Sequence, residues 1–506
     1  MRDDVLIAGA GPTGLVLALW LVKQGVKIRI IDKAPGPGTA SRAMAVQART
    51  LELYRQLDLA EAVVAAGHKT PAVNLWVKGK RQAHVPLSDA GKDLTPYPFL
   101  LAYPQDVHER LLVEKLASLG VMVERNTELT GFTDKGDHIE ARLRDARGQE
   151  TVAEASYLAG CDGARSAVRH LLGSGFPGDT YSKIFYVADT EIAGPSADGE
   201  VHIALDTSDF LAVMAYNDHG NVRLIGTVNE DHDDAAGKLT FEDVSHRAID
   251  GLGVQVKSVK WFSTYRVHHR VTDHYRMGRA FLLGDAAHVH SPAGGQGMNT
   301  GIGDAINLAW KLAAVLKARA PDALLDSYEA ERKAFAEKLV HTTDRVFSFV
   351  TAEGSFADFV RTRIAPLFMP FAYRAETVRE FMFRIISQTM ISYHGSAVSE
   401  GLAGEVRGGD RLPWVPTRSC DNYAPLSVIG WQAHVYGAAH EDVVDWCSAR
   451  GVPLYAFTWT KAHGKAGLAR NALYLIRPDS YVAFASAEPR ARALEHYTQS
   501  RGMSFS

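Results

Sequence analysis

Three glycines near the N-terminus stand between a short apolar run and an apolar helical pattern. Residues 5–8 have the composition of a buried strand, and Gly9, Gly11 and Gly14 follow in the spacing GxGxxG. A helix pattern with apolar residues at positions 15, 18, 19 and 22 comes next, and a second strand is predicted over 26–31. Strand, glycine turn, helix and strand in this order predict a dinucleotide-binding βαβ unit.

Each glycine of such a unit has its own physical reason. Gly9 makes the tight turn, Gly11 lets a pyrophosphate approach the backbone, and Gly14 lets the helix pack on the strand. Asp32 follows Gly14 by 18 residues, where a carboxylate accepts hydrogen bonds from a ribose. The pattern does not separate FAD from a nicotinamide, but its place near the N-terminus favours FAD.

A second segment, 157–173, also runs from an apolar strand through a polar glycine turn into a helix. Asp162 and Gly163 lie at this turn. Taken alone, the segment is equally compatible with a simple strand-to-helix connection in which the aspartate caps the helix.

The third such turn lies within 278–310. Asp285 ends an apolar strand, and a helix with one continuous apolar face begins near Asn299. The glycines between them, at positions 294, 295 and 297, leave nearly bare backbone N–H groups at a helix start. That arrangement suits a group that is or becomes anionic.

The same segment contains His288 and His290 in the spacing HxH, which can chelate a metal ion. The pattern provides no third ligand and no nearby cysteine. We therefore predict no metal site.

Composition excludes several other classes of protein. The 506 residues suggest about three domains, and the formal charge of −3 gives no reason to expect nucleic acid or an anionic membrane as partner. The longest uncharged apolar run, 15–22, is too short to span a bilayer, and because residues 1–4 lead directly into a predicted strand we expect no signal peptide. Three cysteines without a CxxC pair indicate no thiol chemistry. We expect a cytoplasmic protein.

The three turns together resemble a known family. GxGxxG at 9–14, a "DG" motif at 161–163 and a "GD" motif at 284–299 are similar to the signatures of the FAD-dependent aromatic hydroxylases. This class A flavoprotein monooxygenase family is typified by para-hydroxybenzoate hydroxylase and phenol hydroxylase. The resemblance covers about residues 1–345. It implies an α/β fold: a Rossmann-like FAD-binding domain, an inserted β-sheet substrate domain and a C-terminal thioredoxin-like domain.

The resemblance also implies domain boundaries. The FAD-binding domain is expected to be discontinuous and the sheet domain to be inserted in it; a linker is predicted near 395–412, where the composition changes. The expected segments are 1–71, 99–183 and 269–345 for FAD, 72–98 and 184–268 for the substrate sheet, 346–394 for a helical connection, and 395–506 for the thioredoxin-like domain.

By resemblance, a set of residues is assigned to the cofactor. The first turn would hold the ADP half of FAD, Gln105 the ribityl chain, and the backbone of 297–299 the pyrimidine edge of the flavin. Asp162 would contribute to both FAD and nicotinamide binding, and no second GxGxxG unit is expected for NADPH or NADH. The assigned residues are Gly9, Gly11, Pro12, Thr13, Gly14, Asp32, Lys33, Arg42, Gln105, Asp162, Gly284, Asp285, Pro292, Gly295, Gly297, Met298 and Asn299.

Substrate residues are harder to predict. A hairpin is predicted around 218–221, with Met214, Tyr216 and Arg223 as candidates on its strands. Strand alternation does not tell which face points inward, so Met214 could equally belong to the core and Tyr216 to a cross-strand pair. No catalytic base can be named.

The resemblance implies an FAD-dependent monooxygenase. NAD(P)H would reduce the flavin, O2 would add to give a flavin hydroperoxide, and oxygen would pass to a phenolic or polycyclic aromatic substrate. Two alternatives are Baeyer–Villiger oxygenation on the same scaffold and a non-catalytic binding protein of flavoprotein fold. A flavin-dependent halogenase is disfavoured because no two of the eight tryptophans have the spacing WxW. A homodimer is left open.

Overall fold

The computed structural model has three large β-sheets and describes most of the chain. The described residues are 2–38, 43–205, 210–217, 219–228, 239–290, 295–351, 376–416 and 421–505. Within them, strands and helices are numbered below in chain order.

The first sheet has a parallel centre. Its strands are β1 (Asp3–Ala8), β2 (Ile28–Ile31), β8 (Glu128–Asp134), β9 (Ile139–Arg144), β10 (Glu150–Gly160), β16 (Arg276–Met277) and β17 (Ala280–Leu282). Strands β17, β10, β1 and β2 are neighbours and run parallel, so their carboxyl ends share one edge. In a parallel α/β sheet this edge is where ligands bind.

The second sheet is larger and almost entirely antiparallel. Its strands are β5 (Ala72–Val77), β6 (Lys80–Pro86), β11 (Gly178–Ala193), β12 (Val201–Leu205), β13 (Phe210–Ala215), β14 (Asn221–Thr227), β15 (Gln255–Val271) and β18 (His288–Val289). The order across the sheet is β18-β15-β11-β14-β13-β12-β5-β6. Because β18 directly follows the GD turn, the first and second sheets are joined at this point.

The remaining strands form a third sheet near the C-terminus and a small sheet near the N-terminus. The third sheet contains β19 (Glu400–Ala403), β20 (Val406–Arg407), β21 (Gln432–Tyr436), β22 (Leu454–Phe457), β23 (Leu473–Ile476) and β24 (Val482–Ser486), in the order β20-β19-β24-β23-β21-β22. The small sheet contains β3 (Ala45–Val46), β4 (His68–Thr70) and β7 (Leu100–Ala102).

The helices range from four residues to 26 residues in length. They are α1 (Pro12–Lys23), α2 (Ala48–Tyr54), α3 (Ala60–Ala66), α4 (Ser88–Gly91), α5 (Gln105–Ser118), α6 (Ala167–Leu172), α7 (Arg247–Gly251), α8 (Gly297–Leu316), α9 (Asp326–Thr351), α10 (Glu376–Ile386), α11 (Glu441–Ala449), α12 (Lys461–Lys465) and α13 (Ala491–Ser500). None of those described is both long and apolar enough to cross a membrane.

The largest core lies between the first sheet and its helices. Leu15 and Leu19 of α1 and Ile306 of α8 are fully buried in one cluster with Val5 of β1. The two predicted helices, α1 and α8, are therefore confirmed, but residues 14–21 of α1 and 304–313 of α8 are buried without interruption, so neither helix buries one face alone. Burial of an aliphatic side chain of this size stabilises the fold by about 1.5–3 kcal/mol.

The prediction of a linker over 395–412 is wrong for residues 400–407, which contain two strands. Strands β19 and β20 lie within it, and β19 pairs in parallel with β24, from Glu400 opposite Phe484 to Leu402 opposite Ser486. The glycines that suggested a linker serve this close pairing, because a Cβ atom on Gly401 would lie 2.0 Å from the carbonyl oxygen of Ala485.

Two of the predicted domain boundaries fall inside single strands. The boundary at 183/184 divides β11, and the boundary at 268/269 divides β15. Both strands are unusually long, with 16 and 17 residues. Both strands belong wholly to the second sheet, so this part of the chain enters that sheet at β11 and leaves it at the end of β15, several residues outside the predicted boundaries.

Candidate active site

The glycine turn after β1 is tightly packed except at its middle glycine. A Cβ atom on Gly9 would lie 2.3 Å from the carbonyl oxygen of Cys161, and one on Gly14 would lie 2.0 Å from that of Gly9. Gly9 also has a φ of +105°, which side chains disfavour. A Cβ atom on Gly11, in contrast, would meet no atom of the described residues within 4 Å. The protein itself requires Gly9 and Gly14, whereas at Gly11 there is room for a ligand.

Asp32 fixes this turn to the end of β2. Its Oδ2 accepts a hydrogen bond from the backbone N–H of Ala10 at 2.6 Å, and its Oδ1 accepts one from Ala34 at 2.7 Å. The guanidinium of Arg125 lies 3.7 Å from Oδ2. A carboxylate has about four acceptor positions, so Asp32 can still accept from a ribose hydroxyl. The next residue, Lys33, is exposed.

The DG turn lies beside the glycine turn because β10 pairs in parallel with β1. The backbone N–H of Cys161 donates to the carbonyl of Ala8 at 2.7 Å. Asp162 accepts a hydrogen bond on Oδ2 from the N–H of Val168 at 3.1 Å. Its Oδ1 is buried and has no hydrogen-bond partner within the part of the chain that is described. Such an unpaired buried acceptor is costly unless a ligand supplies the donor.

The GD turn packs on the first turn of α1. Gly284 has a φ of +59°, and a Cβ atom there would lie 2.7 Å from Oγ1 of Thr13. A Cβ atom on Gly301 of α8 would lie 2.4 Å from the same hydroxyl oxygen. Pro12, the first residue of α1, is buried. Asp285 lies on a single 3-10 turn and is exposed.

A buried carboxylate holds the GD turn in place. Oδ2 of Asp304 accepts hydrogen bonds from the backbone N–H of Gly284 at 2.9 Å and from Nε2 of His288 at 2.7 Å. Its Oδ1 accepts one from Nε of Arg332 at 2.6 Å. Burial alone would raise the pKa of Asp304, but the charges of Arg332 and His288 lower it below its ordinary value. Asp304 is therefore ionised and fully paired.

This geometry gives His288 a role other than metal binding. Its Nε2 faces Asp304, and its ring stacks at 6.5 Å on that of His290. No group of three or more histidine, cysteine, aspartate or glutamate side chains suited to a metal occurs among the described residues.

The start of α8 is attached to the segment 45–50 through Asn299. Its Oδ1 accepts from the N–H of Gln47 at 3.0 Å and from Oγ1 of Thr50 at 2.8 Å, and its Nδ2 donates to the carbonyls of Ala45 at 2.8 Å and Gly295 at 3.0 Å. The Asn299 side chain is thus engaged within the protein. Its backbone and those of the half-buried Gly297 and Met298 form the first turn of α8.

Gln105 opens α5, and together with Glu109 it contacts the backbone of Ala43 and Gly38. Its side-chain oxygen accepts from the N–H of Ala43 at 3.0 Å, and its Nε2 donates to Glu109 at 2.8 Å. The other Glu109 oxygen accepts from the N–H of Gly38 at 2.8 Å. Two predicted cofactor residues, Arg42 and Pro292, lie outside the described residues.

One face of the second sheet packs against α7 and forms a hydrophobic core. Leu211 and Val213 of β13 and Leu224 of β14 are buried in a cluster with Ala248 and Ile249 of α7. Side chains alternate between the two faces of a strand, so the neighbours of these residues lie on the opposite face.

The opposite face is largely apolar, and part of it is half-buried, while Val187, Ala212 and Arg223 on the same face are buried. We call this the half-buried face and define it by Val73, Leu75, Ile203, Met214 and Ile225. Its central row runs through Leu75, Ile203, Ala212, Ile225 and Val187, which lie opposite one another on five adjacent strands. At about 4.8 Å per strand, this row is roughly 19 Å wide.

The register settles the orientation of two predicted substrate residues. Met214 lies opposite Arg223, and Arg223 lies opposite Asp189, so all three share the half-buried face. Met214 is therefore not a core residue. Arg223 is 1% exposed, and its Nε and Nη2 each donate to a carboxylate oxygen of Asp189 at 2.8 Å. A charged pair thus lies beside the apolar row.

Tyr216 lies at the tip of the hairpin, where its N–H donates to the carbonyl of Asn221 at 3.2 Å. Burial raises the pKa of Tyr216, and the carboxylates of Asp189 and Asp106 raise it further, while Arg223 opposes them. Asp106 follows Gln105 on α5. The side chain of Tyr216 therefore lies within electrostatic range of α5, the helix that Gln105 opens.

Comparison with known proteins identifies the family. Residues 2–343 match the family described as FAD binding domain. The chain is 37% identical over 404 residues to 6-methylpretetramide 4-monooxygenase of Streptomyces rimosus, covering 78% of this chain and 69% of that protein. It is 31% identical over 512 residues to a flavin-dependent monooxygenase of Mycobacteroides abscessus, covering 96% and 98%. The chain belongs to the FAD-dependent aromatic hydroxylase family.

The whole fold of this hydroxylase is similar to solved structures. Anhydrotetracycline hydroxylase OxyS from Streptomyces rimosus superimposes with a TM-score of 0.79 at 28% identity, covering 100% of this chain and 99% of that one. The chain is accordingly an FAD-dependent monooxygenase, which uses O2 and reducing equivalents from NAD(P)H.

Sequence reasoning missed the residues that hold the hydroxylase's turns together. Asp304 and Arg332 lie 28 residues apart and on different helices. Asp189, which pairs with the predicted residue Arg223 from another strand, was also missed. One signal was present: Asp304 is a charged residue on a helix whose neighbours Ile302, Ala305 and Ile306 are all apolar.

Proposed function

We propose that this enzyme hydroxylates a polycyclic phenolic substrate held between the flavin and the half-buried face. The observation that carries this proposal is the width of the apolar row, roughly 19 Å at the usual strand spacing. A single aromatic ring would cover only a fraction of such a row. The similar structure named for anhydrotetracycline, a tetracyclic compound, supports the same size class.

The residues of the three turns fit FAD. Gly11 leaves room for the pyrophosphate beside the start of α1, Asp32 has acceptor capacity for the adenosine ribose, and Asp162 has a buried oxygen that needs a donor. Asp285 would accept from the hydroxyls nearer the flavin. The first turn of α8, Gly297–Asn299, would face the pyrimidine edge, where the helix N-terminus favours negative charge. When bound, FAD would accept hydride and activate O2.

The chain's own residues orient the substrate and exclude water. Apolar side chains of the half-buried face would cover the ring system, and Arg223 with Asp189 would set the polar end of the pocket. Tyr216, with its raised pKa, would donate a hydrogen bond rather than act as a base. Its place at the hairpin tip puts that hydroxyl near the helix of Gln105.

For the domains we keep the predicted assignment: an FAD-binding unit, an inserted substrate sheet and a thioredoxin-like C-terminal unit. The third sheet supports the last part. The segment from β21 to α13 has the element order βαβ-α-ββα, with β22-β21-β23-β24 as neighbours, which is the thioredoxin arrangement. Cys447 is buried and its pKa is raised by burial to about 11, so thiol chemistry is not part of this proposal.

The remaining expectations stay predictions. They are a cytoplasmic location with access to NADPH or NADH, no nucleic-acid partner, no bound metal and a homodimer as one option for assembly.

The deciding experiment follows NADPH and NADH oxidation in air with a panel of one-ring to four-ring phenols. We expect a yellow protein, oxidation stimulated most by a multi-ring phenol, and a product heavier by one oxygen atom. Product structure by NMR separates ring hydroxylation from the oxygen insertion of a Baeyer–Villiger reaction. A preference for one-ring phenols would contradict the substrate class, and a protein unable to bind FAD would favour the non-catalytic alternative.

A further inference from the structure

The turn between β23 and β24 is buried against the FAD-binding part of the chain. Arg477 begins this turn and is fully buried. Its guanidinium donates to both oxygens of Glu331 on α9, at 2.7 and 3.0 Å, and to both oxygens of Asp479, at 2.9 and 2.5 Å. Oδ2 of Asp479 also accepts from Nε1 of Trp310 on α8 at 3.0 Å. One arginine therefore joins the third sheet to two helices of the FAD-binding part.

Glu331 continues the network along α8. Its Oε2 accepts from Nζ of Lys311 at 2.9 Å and from Nδ2 of Asn307 at 2.6 Å, and its Oε1 accepts from Oγ of Ser396 at 2.6 Å. Burial alone would raise the pKa of Glu331, but the charges of Arg477 and Lys311 hold it well below its ordinary value. This carboxylate is therefore ionised, fully paired and fixed.

The next residue of α9 carries the connection to the GD turn. Successive helical residues point about 100° apart, so Glu331 and Arg332 reach different partners. Arg332 pairs with Asp304, which holds the N–H of Gly284, and it donates to the carbonyl of Thr300 at 3.0 Å. Fixing Glu331 from the third sheet thus also fixes the adjacent support of the GD turn.

A second branch reaches the start of α8 through α2. Nη2 of Arg49 donates to the carbonyl of Asp479 at 2.8 Å. The following residue, Thr50, donates to Asn299 at 2.8 Å. Both branches therefore begin at the turn of Arg477 and end at a segment assigned to the flavin.

We propose that Arg477 is a positioning residue for FAD, through which the C-terminal part of the chain sets the geometry of the GD turn and of the first turn of α8. This inference rests on the proposed cofactor site. It gives the C-terminal sheet a function without any reactive group of its own. Arg477 touches neither turn directly, so its effect passes through Glu331, Arg332 and Asp479.

The test measures release of FAD from the purified holoenzyme on dilution, by the rise in flavin fluorescence, for wild type, R477Q, R477K and R55Q. Arg55 is the matched control, because it joins the same two parts of the chain through Asp421 at 2.8 Å but forms no hydrogen bond with the GD turn or α8 within the described residues. Visible circular dichroism at saturating FAD reports the geometry of the bound flavin.

We expect R477Q to raise the dissociation constant of FAD at least tenfold and to change the flavin dichroism. R477K, which keeps the charge but not the bidentate contacts, should lie between R477Q and wild type. R55Q should stay within twofold. An R477Q protein within twofold of wild type, or an R55Q protein affected as strongly, would overturn the inference.

If R477Q does not fold, D479N replaces it, since that variant keeps the Arg477–Glu331 pair. D479N is expected to weaken FAD binding at least threefold, and binding within twofold of wild type would again overturn the inference. A wild-type protein without FAD would instead contradict the proposed cofactor site. The two failures are therefore distinguishable.

Discussion

The carboxylate of Asp304 lies 2.6 Å from Nε of Arg332, and both side chains are almost completely buried. The second oxygen of the same carboxylate holds the backbone of Gly284. A contact between two helices is thus also the support of a turn that, in our assignment, binds FAD.

Replacing Asp304 by asparagine should therefore affect stability and cofactor together. The change leaves the Arg332 charge buried without a counter-charge, which typically costs about 3–5 kcal/mol. We expect a lower free energy of unfolding in urea and a lower flavin content after purification. Asp326→Asn is the control: its carboxylate is 71% exposed beside Arg276, so a change within about 0.5 kcal/mol is expected. Equal effects of both variants would contradict the argument.

The glycines of the first turn should separate folding from cofactor binding. Gly11→Ala adds a methyl group where no described atom lies within 4 Å, at a φ of −77° that alanine adopts freely. We expect normal expression and thermal stability of the FAD-free protein but at least tenfold weaker FAD binding. Gly14→Ala places a carbon 2.0 Å from a backbone oxygen and should prevent folding. If the Gly11→Ala protein bound FAD with wild-type affinity, the proposed position of the pyrophosphate at this turn would be wrong.

Acid stability should depend on Glu331. Its folded pKa is lowered, so below about pH 4.5 the unfolded chain binds a proton more readily than the folded protein does. This stabilising contribution is present above the unfolded pKa and is lost as the pH falls. Glu331→Gln should therefore be less stable than wild type at pH 7, and the difference should shrink towards pH 3. Urea unfolding at several pH values measures it; a constant difference would show that the charge of Glu331 is not responsible.

Tyr216 should not titrate during turnover at neutral pH. Burial and the neighbouring carboxylates raise its pKa above the ordinary value, so its hydroxyl stays protonated. Tyr216→Phe should lower kcat/KM through the lost hydrogen bond, by about tenfold, while the pH profile between 6 and 9 keeps its shape. Loss of a titrating limb in the variant would instead identify Tyr216 as a base.

Local features of the sequence were sufficient to predict the three turns. Gly9 and Gly14 are required by contacts with residues nearby in the chain or on the adjacent strand. Because these contacts are local, they fix the spacing of the glycines in the sequence. The helix predicted to start near Asn299 followed from the spacing of its apolar residues, and in the structure this helix begins two residues earlier. The family followed from these motifs alone.

The parts that could not be predicted depend on long-range register. Which face Met214 occupies is decided by its pairing with Arg223 across the hairpin and by what packs on the other side of the sheet. The glycines near Gly401 resembled a linker because their partner strand lies more than 80 residues further along the chain. The support of the GD turn by Asp304 and Arg332 joins two helices, and no local pattern contains it.

Strand β15 has a consequence for the selectivity of the reaction. It passes through the large sheet beside Asp189, through Trp261, and then pairs with β18 directly after the GD turn, with Val271 opposite His288. The wall proposed for the substrate and the turn proposed for the flavin are therefore connected through this one strand, whose pairing with β11 shifts register between Thr180 and Ile184. Substitutions that alter the twist of β15 should shift the ring system sideways relative to the oxygen. We expect such substitutions to change which carbon is hydroxylated before they change the rate of hydroxylation.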